Sequence, residues 1–247
     1  MSDIFSYIGG TPFACQAFDP GRLVDLVSHR RLQLSGGQQS SQDELIQPHC
    51  GRALYAARAR HLALEIPLLC LTARQYEQIR TARLDIADIC SSWNQMYQLP
   101  VDYFLVDDGR LSVSCGLVPQ TIFIGPAAFL DRDTLLEAIV HENAHIWLDL
   151  LREIADLQDP SDQALYTLPS GTQGKTLTGV LLAAHFATSA HAYWSRKPTR
   201  PRRVARLKTL HQYASDCLDA VKDAPGLTEV GSLVWRDLWN YTKAAYA

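Results

Sequence analysis

The chain has 247 residues, of which 47% are hydrophobic and 20% charged, with a net charge of −3. That is ordinary globular make-up with ample material for a core, and it does not suit a nucleic-acid binder. The six cysteines form no CxxC pair, residues 1–13 lack the basic start and long apolar core of a secretory signal, and no apolar run reaches the roughly 18–20 residues that span a bilayer. A reduced, cytoplasmic protein with no membrane partner is expected.

In chain order, a short helical stretch is predicted over 20–32, followed by a polar loop over 35–41. Helical pattern then covers 43–65 and 72–97, broken at Pro67. The period changes at 101–106 and 111–115, two β-rich runs across Asp107-Asp108-Gly109-Arg110, which reads as a hairpin, and 121–124 is a third short strand. Helices are expected over 133–157, 176–194, 204–222 and 227–246, the last two after a Pro/Arg-rich hinge at 198–201. The fold class is therefore α+β, mostly α-helical, with one small antiparallel sheet ahead of a zincin-like metal helix. It is expected as a single domain over 1–247: a helical part (1–98), the sheet with the metal-binding helices (99–195), and C-terminal helices (196–247).

The most informative stretch is His141-Glu142-Asn143-Ala144-His145, which reads HExxH. Residues at i and i+4 lie one above the other on a helix, so both imidazoles can grip one metal ion while Glu142 projects to the side. Asp131 or Asp133 can cap the start, and the surrounding Leu, Ile, Val and Trp residues make the helix apolar nearly all round. Metal sites of this kind use three protein ligands. Asp149 starts about 6 Å beyond His145 along the axis and reads as a supporting residue. Leu148 and Leu151 replace the glycine and third histidine of an extended protease pattern, so the third ligand must come from another segment. His185 and His191 lie six apart on one apolar helix, about 120° around its axis, so at most one faces a metal. His185, in mid-helix, is the stronger candidate; the bland alternative for either is a satisfied core histidine.

Three other signals carry less. Leu34-Ser35-Gly36-Gly37-Gln38 spells a transporter-ATPase motif and 169–176 resembles a P-loop, but the order is wrong, no strand precedes Pro169, and proline cannot adopt the cradle's glycine conformations. Both read as loops. Arg196, Lys197, Arg200, Arg202, Arg203, Arg206 and Lys208 form a basic cluster that suits an acidic peptide or nucleic acid; a solvated hinge and helix start is the favoured reading, since aromatic interleaving is lacking.

Two metal chemistries fit the residues. Zinc would activate water with Glu142 as general base, giving a metallopeptidase. Fe(II) would instead leave positions open for a 2-oxoacid and dioxygen, and would need a cation for the oxoacid's far carboxylate; Lys175 is the candidate. The HExxH helix, Tyr166-Thr167-Leu168-Pro169-Ser170, Lys175-Thr176-Leu177-Thr178-Gly179-Val180-Leu181 and Tyr193-Trp194 together resemble the HExxH-motif peptide-modification proteins of ribosomal peptide natural-product clusters. That resemblance covers about the central third of the chain and implies an Fe(II)- and 2-oxoglutarate-dependent peptide β-hydroxylase. Lys175 stands where an arginine is usual, and Leu182 where a histidine often follows the Gly-Val-Leu run. The expected activity is hydroxylation of an unactivated carbon in a peptide or a carrier-bound amino acid. In it His141, His145 and His185 bind iron, Lys175 binds 2-oxoglutarate, and Glu142 is a supporting group. The alternatives are a zinc peptidase and a metal-stabilised peptide-binding module.

Overall fold

The computed structural model describes residues 2–36, 41–58 and 69–245. The expected break at Pro67, the end of the 43–65 helix, and Gly37 and Gln38 of the ATPase-like motif lie outside them. The described elements are α1 (Ser2–Ile8), α2 (Pro20–Leu34), α3 (Gln42–Leu45), α4 (Pro48–Arg58), α5 (Ala73–Ile89), β1 (Asp102–Leu105), β2 (Ser112–Cys115), β3 (Val118–Ile124), α6 (Arg132–Ile154), α7 (Leu177–Arg196), α8 (Pro201–Val221) and α9 (Glu229–Ala244). The protein is thus α+β and mostly helical, with a small mixed sheet. It divides into two compact units, Leu23–Leu150 and the pair of segments Met1–Arg22 with Leu151–Ala247, so the boundaries fall inside α2 and α6.

In the Leu23–Leu150 unit the strand order is β1-β3-β2, with β1 parallel and β2 antiparallel to β3. This corrects the expected hairpin and the purely antiparallel sheet. The tight turn at Gly116-Leu117 joins β2 to β3 instead, and β3 then fits between β2 and β1. Its core, Thr121-Ile122-Phe123-Ile124, is fully buried, whereas β1 and β2 are half-buried throughout, so the most apolar strand takes the centre. Asp107–Arg110 still turns, with Gly109 at φ +84° and Asp108 accepting from the Arg110 amide, but it carries the chain across β3. At the end of β3, Gly125 donates to the Leu111 carbonyl and runs so close to Arg110 that a Cβ there would lie 1.8 Å from its oxygen. Thr72 caps α5 through a reciprocal capping box with Gln75.

The second unit packs α7, α8 and α9 pairwise, with α1 against α9. Alanines 183, 184, 187, 190 and 192 on α7 are buried and let neighbouring helices approach closely. Thr176 caps α7 through the Gly179 amide, and Thr228 caps α9 through the Gly231 amide. The loop after α1 is held from both sides. Asp237 Oδ2 on α9 accepts from the Thr11 amide at 3.1 Å, the Thr11 hydroxyl at 3.0 Å and the Cys15 thiol at 3.1 Å. His185 Nε2 on α7 lies 2.7 Å from the Pro12 carbonyl oxygen. Among the described residues no helix is long and apolar enough to cross a membrane.

Candidate metal centre

Helix α6 carries the HExxH residues and starts as its sequence suggests. Asp131, extended at φ −134°, accepts from the Thr134 amide at 2.9 Å and its hydroxyl at 2.6 Å, which settles the cap in favour of Asp131. Arg132 pairs with Asp85 on α5. Leu135, Leu136, Ile139, Val140, Ala144, Ile146, Trp147 and Leu148 are buried, and the Trp147 indole donates to the Met96 carbonyl at 3.2 Å. The helix is not buried all round, however. Thr134, Glu137, His141, His145 and Asp149 follow one another at three- and four-residue spacing, and each is partly exposed. The histidines therefore occupy the open stripe of an otherwise packed helix.

Along that stripe His141 Nε2 and His145 Nε2 lie 2.8 Å apart, with ring centroids 4.6 Å apart and planes 68° to each other. Two imidazoles ligating one ion at about 2.0–2.1 Å in tetrahedral geometry would hold these nitrogens about 3.3 Å apart. Small χ rotations reach that separation, so the pair fits a divalent ion.

Glu142 faces another way. It is 1% exposed, and its two oxygens accept from the Ser112 hydroxyl at 2.7 Å and the Ser114 hydroxyl at 2.6 Å. Both serines lie on β2 two residues apart, so both point to the same side of the sheet. This ties the metal helix to the sheet and satisfies a carboxylate that would be costly to bury alone. Neither serine stood out from sequence, although Ser112-Val113-Ser114 in an alternating run is the pattern that presents two hydroxyls on one face. Asp149 lies over the β2–β3 turn, where a Cβ on Gly116 would meet its carboxylate at 3.3 Å.

The remaining candidates belong to the other unit. His185 is 0% exposed; besides the Pro12 carbonyl at its Nε2, it has the Phe13 ring at 5.9 Å. Its surroundings are those of a core histidine that pins a loop. His191 Nδ1 lies 3.3 Å from the Tyr241 hydroxyl and its ring 6.3 Å from that of His211. Burial, then the electrostatic influence of His211 and Arg203, push His191 down to about 4. Lys175 is half-buried; its backbone pairs with Tyr166 in an isolated antiparallel bridge, and its stem packs beside Gly179. The P-loop-like segment is the loop closed by this bridge, ending at the Thr176 cap. Among the described residues no group of three or more His, Cys, Asp or Glu side chains is arranged to hold an ion. What the fold brings together is a pair of imidazoles, backed by a carboxylate that two hydroxyls hold. In comparisons with known proteins, no family model and no curated protein matches the chain.

Proposed function

We propose that the protein is an Fe(II)- and 2-oxoglutarate-dependent hydroxylase acting on an unactivated carbon of a peptide or of a carrier-bound amino acid. The observation that carries this reading is the contrast within the HExxH motif. The two imidazoles converge on an open stripe, while Glu142 is turned into the protein and both its oxygens are occupied by serine hydroxyls. A zinc peptidase requires that glutamate to take a proton from metal-bound water. Held as it is, Glu142 serves to fix a zincin-like helix against the sheet, and the peptidase is the weaker reading.

With iron bound, the centre would couple conversion of 2-oxoglutarate and O2 to succinate and CO2 with insertion of one oxygen atom into a C–H bond of the substrate. The residues have simpler tasks. To hold the ion, His141 and His145 would offer Nε2 as the ligating atom, with the ring proton on Nδ1. A two-imidazole set leaves positions for the chelating oxoacid, and Lys175 is proposed to pair with that molecule's far carboxylate. His185 can serve as a third ligand through Nε2 only by giving up the Pro12 carbonyl, so in this proposal the His141–His145 pair comes first.

The test is a titration of anaerobically purified protein with Fe(II) and 2-oxoglutarate. A rise in melting temperature that needs both, and succinate formation with a peptide substrate, are expected. No binding of 2-oxoglutarate to the metal-loaded protein would overturn the proposal. Glu142→Gln divides the two readings: succinate formation persists if the protein is a hydroxylase, and hydrolysis disappears with metal retained if it is a peptidase.

A further inference from the structure

Residues 163–215 contain no aspartate or glutamate but eight basic residues, Lys175 and the seven between Arg196 and Lys208. Of the chain's 23 Lys and Arg this leaves fifteen elsewhere, against all 26 Asp and Glu. A chain of net charge −3 therefore consists of a segment of formal charge +8 and a remainder of −11. Such separation sets up a local field that the net charge conceals.

The seven basic residues gather where α7 ends and α8 begins. Part of the cluster builds that corner. Arg203 donates to the Trp194 carbonyl at 2.8 Å, the Ser195 carbonyl at 2.7 Å and the Thr199 hydroxyl, and Lys197 Nζ sits 4.6 Å from the centre of the Trp194 ring. Arg200, Arg202 and Lys208 are exposed. Helix α8 opens with Arg200 as an uncapped N-cap and with no acidic residue in its first turn. Positive charge there opposes the helix dipole, so the corner favours an anion on two counts.

We infer that this corner docks an acidic segment of the peptide substrate. The choice of a peptide rests on the proposed hydroxylase reading; the anionic character rests on the charge separation and the start of α8, independently of that reading. Nucleic acid fits less well. Tyr193 and Trp194 are 0% and 3% exposed and offer no stacking face, and the −11 remainder repels a long polyanion.

The test is fluorescence anisotropy with a labelled peptide of alternating Glu and Ser, using metal-free full-length protein. Binding should weaken at least about tenfold between roughly 50 and 300 mM salt. The triple variant Arg200→Glu, Arg202→Glu, Lys208→Glu should lose binding by about tenfold or more, and the Gln version of the same three sites should fall between. Arg30→Glu on α2 should leave binding unchanged. Glutamate suits positions 200 and 202 at the start of α8, and Lys208 is exposed two turns further in, so the reversal is expected to keep the melting temperature. Unchanged binding in a folded triple variant, absence of binding by the wild type at low salt, or tighter binding of a single-stranded oligonucleotide of equal charge would each overturn the inference. Because the assay needs neither metal nor turnover, peptide binding without succinate formation would count against the hydroxylase alone.

Discussion

His141 and His145 bring their Nε2 atoms within 2.8 Å of each other on the half-exposed stripe of α6. Two ring nitrogens this close share either a proton or a cation, and the open side of the helix allows a cation to reach them. His141→Gln or His145→Gln is expected to weaken Fe(II) or Zn(II) binding more than about 100-fold, since residues that only orient a ligand already cost about 10–100-fold. Isothermal titration of the apo protein reads this directly; a variant with wild-type affinity would place the metal elsewhere.

The Glu142 clamp can be opened one donor at a time. Ser112→Ala and Ser114→Ala should each destabilise the protein by about 1–3 kcal/mol, because a buried carboxylate loses a partner it cannot replace with water. In the double variant, Glu142→Leu should restore part of the loss by removing the buried charge. Urea unfolding gives the comparison, and a double variant as stable as wild type would show that the clamp carries no weight.

His191 makes folding sensitive to pH. Its folded value lies near 4, lowered from 6.5 by burial and then by His211 and Arg203. Between those values the unfolded chain takes up a proton that the folded chain refuses. Stability is thus complete above about pH 6.5 and declines as the pH falls towards about 4. Allowing for solvent screening, the loss is about 2 kcal/mol. His191→Gln should flatten the dependence of the urea midpoint between pH 7 and pH 5 (about this range); an unchanged slope would assign it to other groups.

Asp237 and Cys15 form a second testable pair. The thiol is pushed up to about 12, first by burial and then by the Asp237 carboxylate that accepts its hydrogen bond. Asp237→Asn removes that charge at constant size, so the thiol becomes more acidic and alkylates faster, by up to about tenfold for each unit its pKa falls. Cys217, raised to about 12 by burial and then Asp216, provides an internal reference in the same digest. A constant Cys15-to-Cys217 labelling ratio would contradict the assignment.

Local chemistry was legible in the sequence, and long-range pairing was not. The α6 cap, which the structure gives to Asp131 rather than Asp133, the start of α7 at Thr176 and the placing of His141 and His145 on one helix stripe all follow from residues within four positions of one another. Strand order does not. Asp107-Asp108-Gly109-Arg110 is a sound turn, yet β3, which comes later in the chain, occupies the place beside β1. Helix α1 was missed because seven residues are too few for a clear period. His185 shows the same limit. Its apolar helix was evident, but nothing nearby in sequence pointed to Pro12, 173 residues away, as its partner.

The hold of Asp237 on Thr11 has a consequence for how the protein is made. The Leu23–Leu150 unit is one unbroken stretch and can assemble while synthesis continues. The other unit is built from both flanks of that stretch, and its loop after α1 gains its carboxylate anchor only once residue 237 has left the ribosome. Of the two holds on that loop, the Pro12–His185 contact can form once α7 is made, whereas the Asp237 hydrogen bonds must wait for α9.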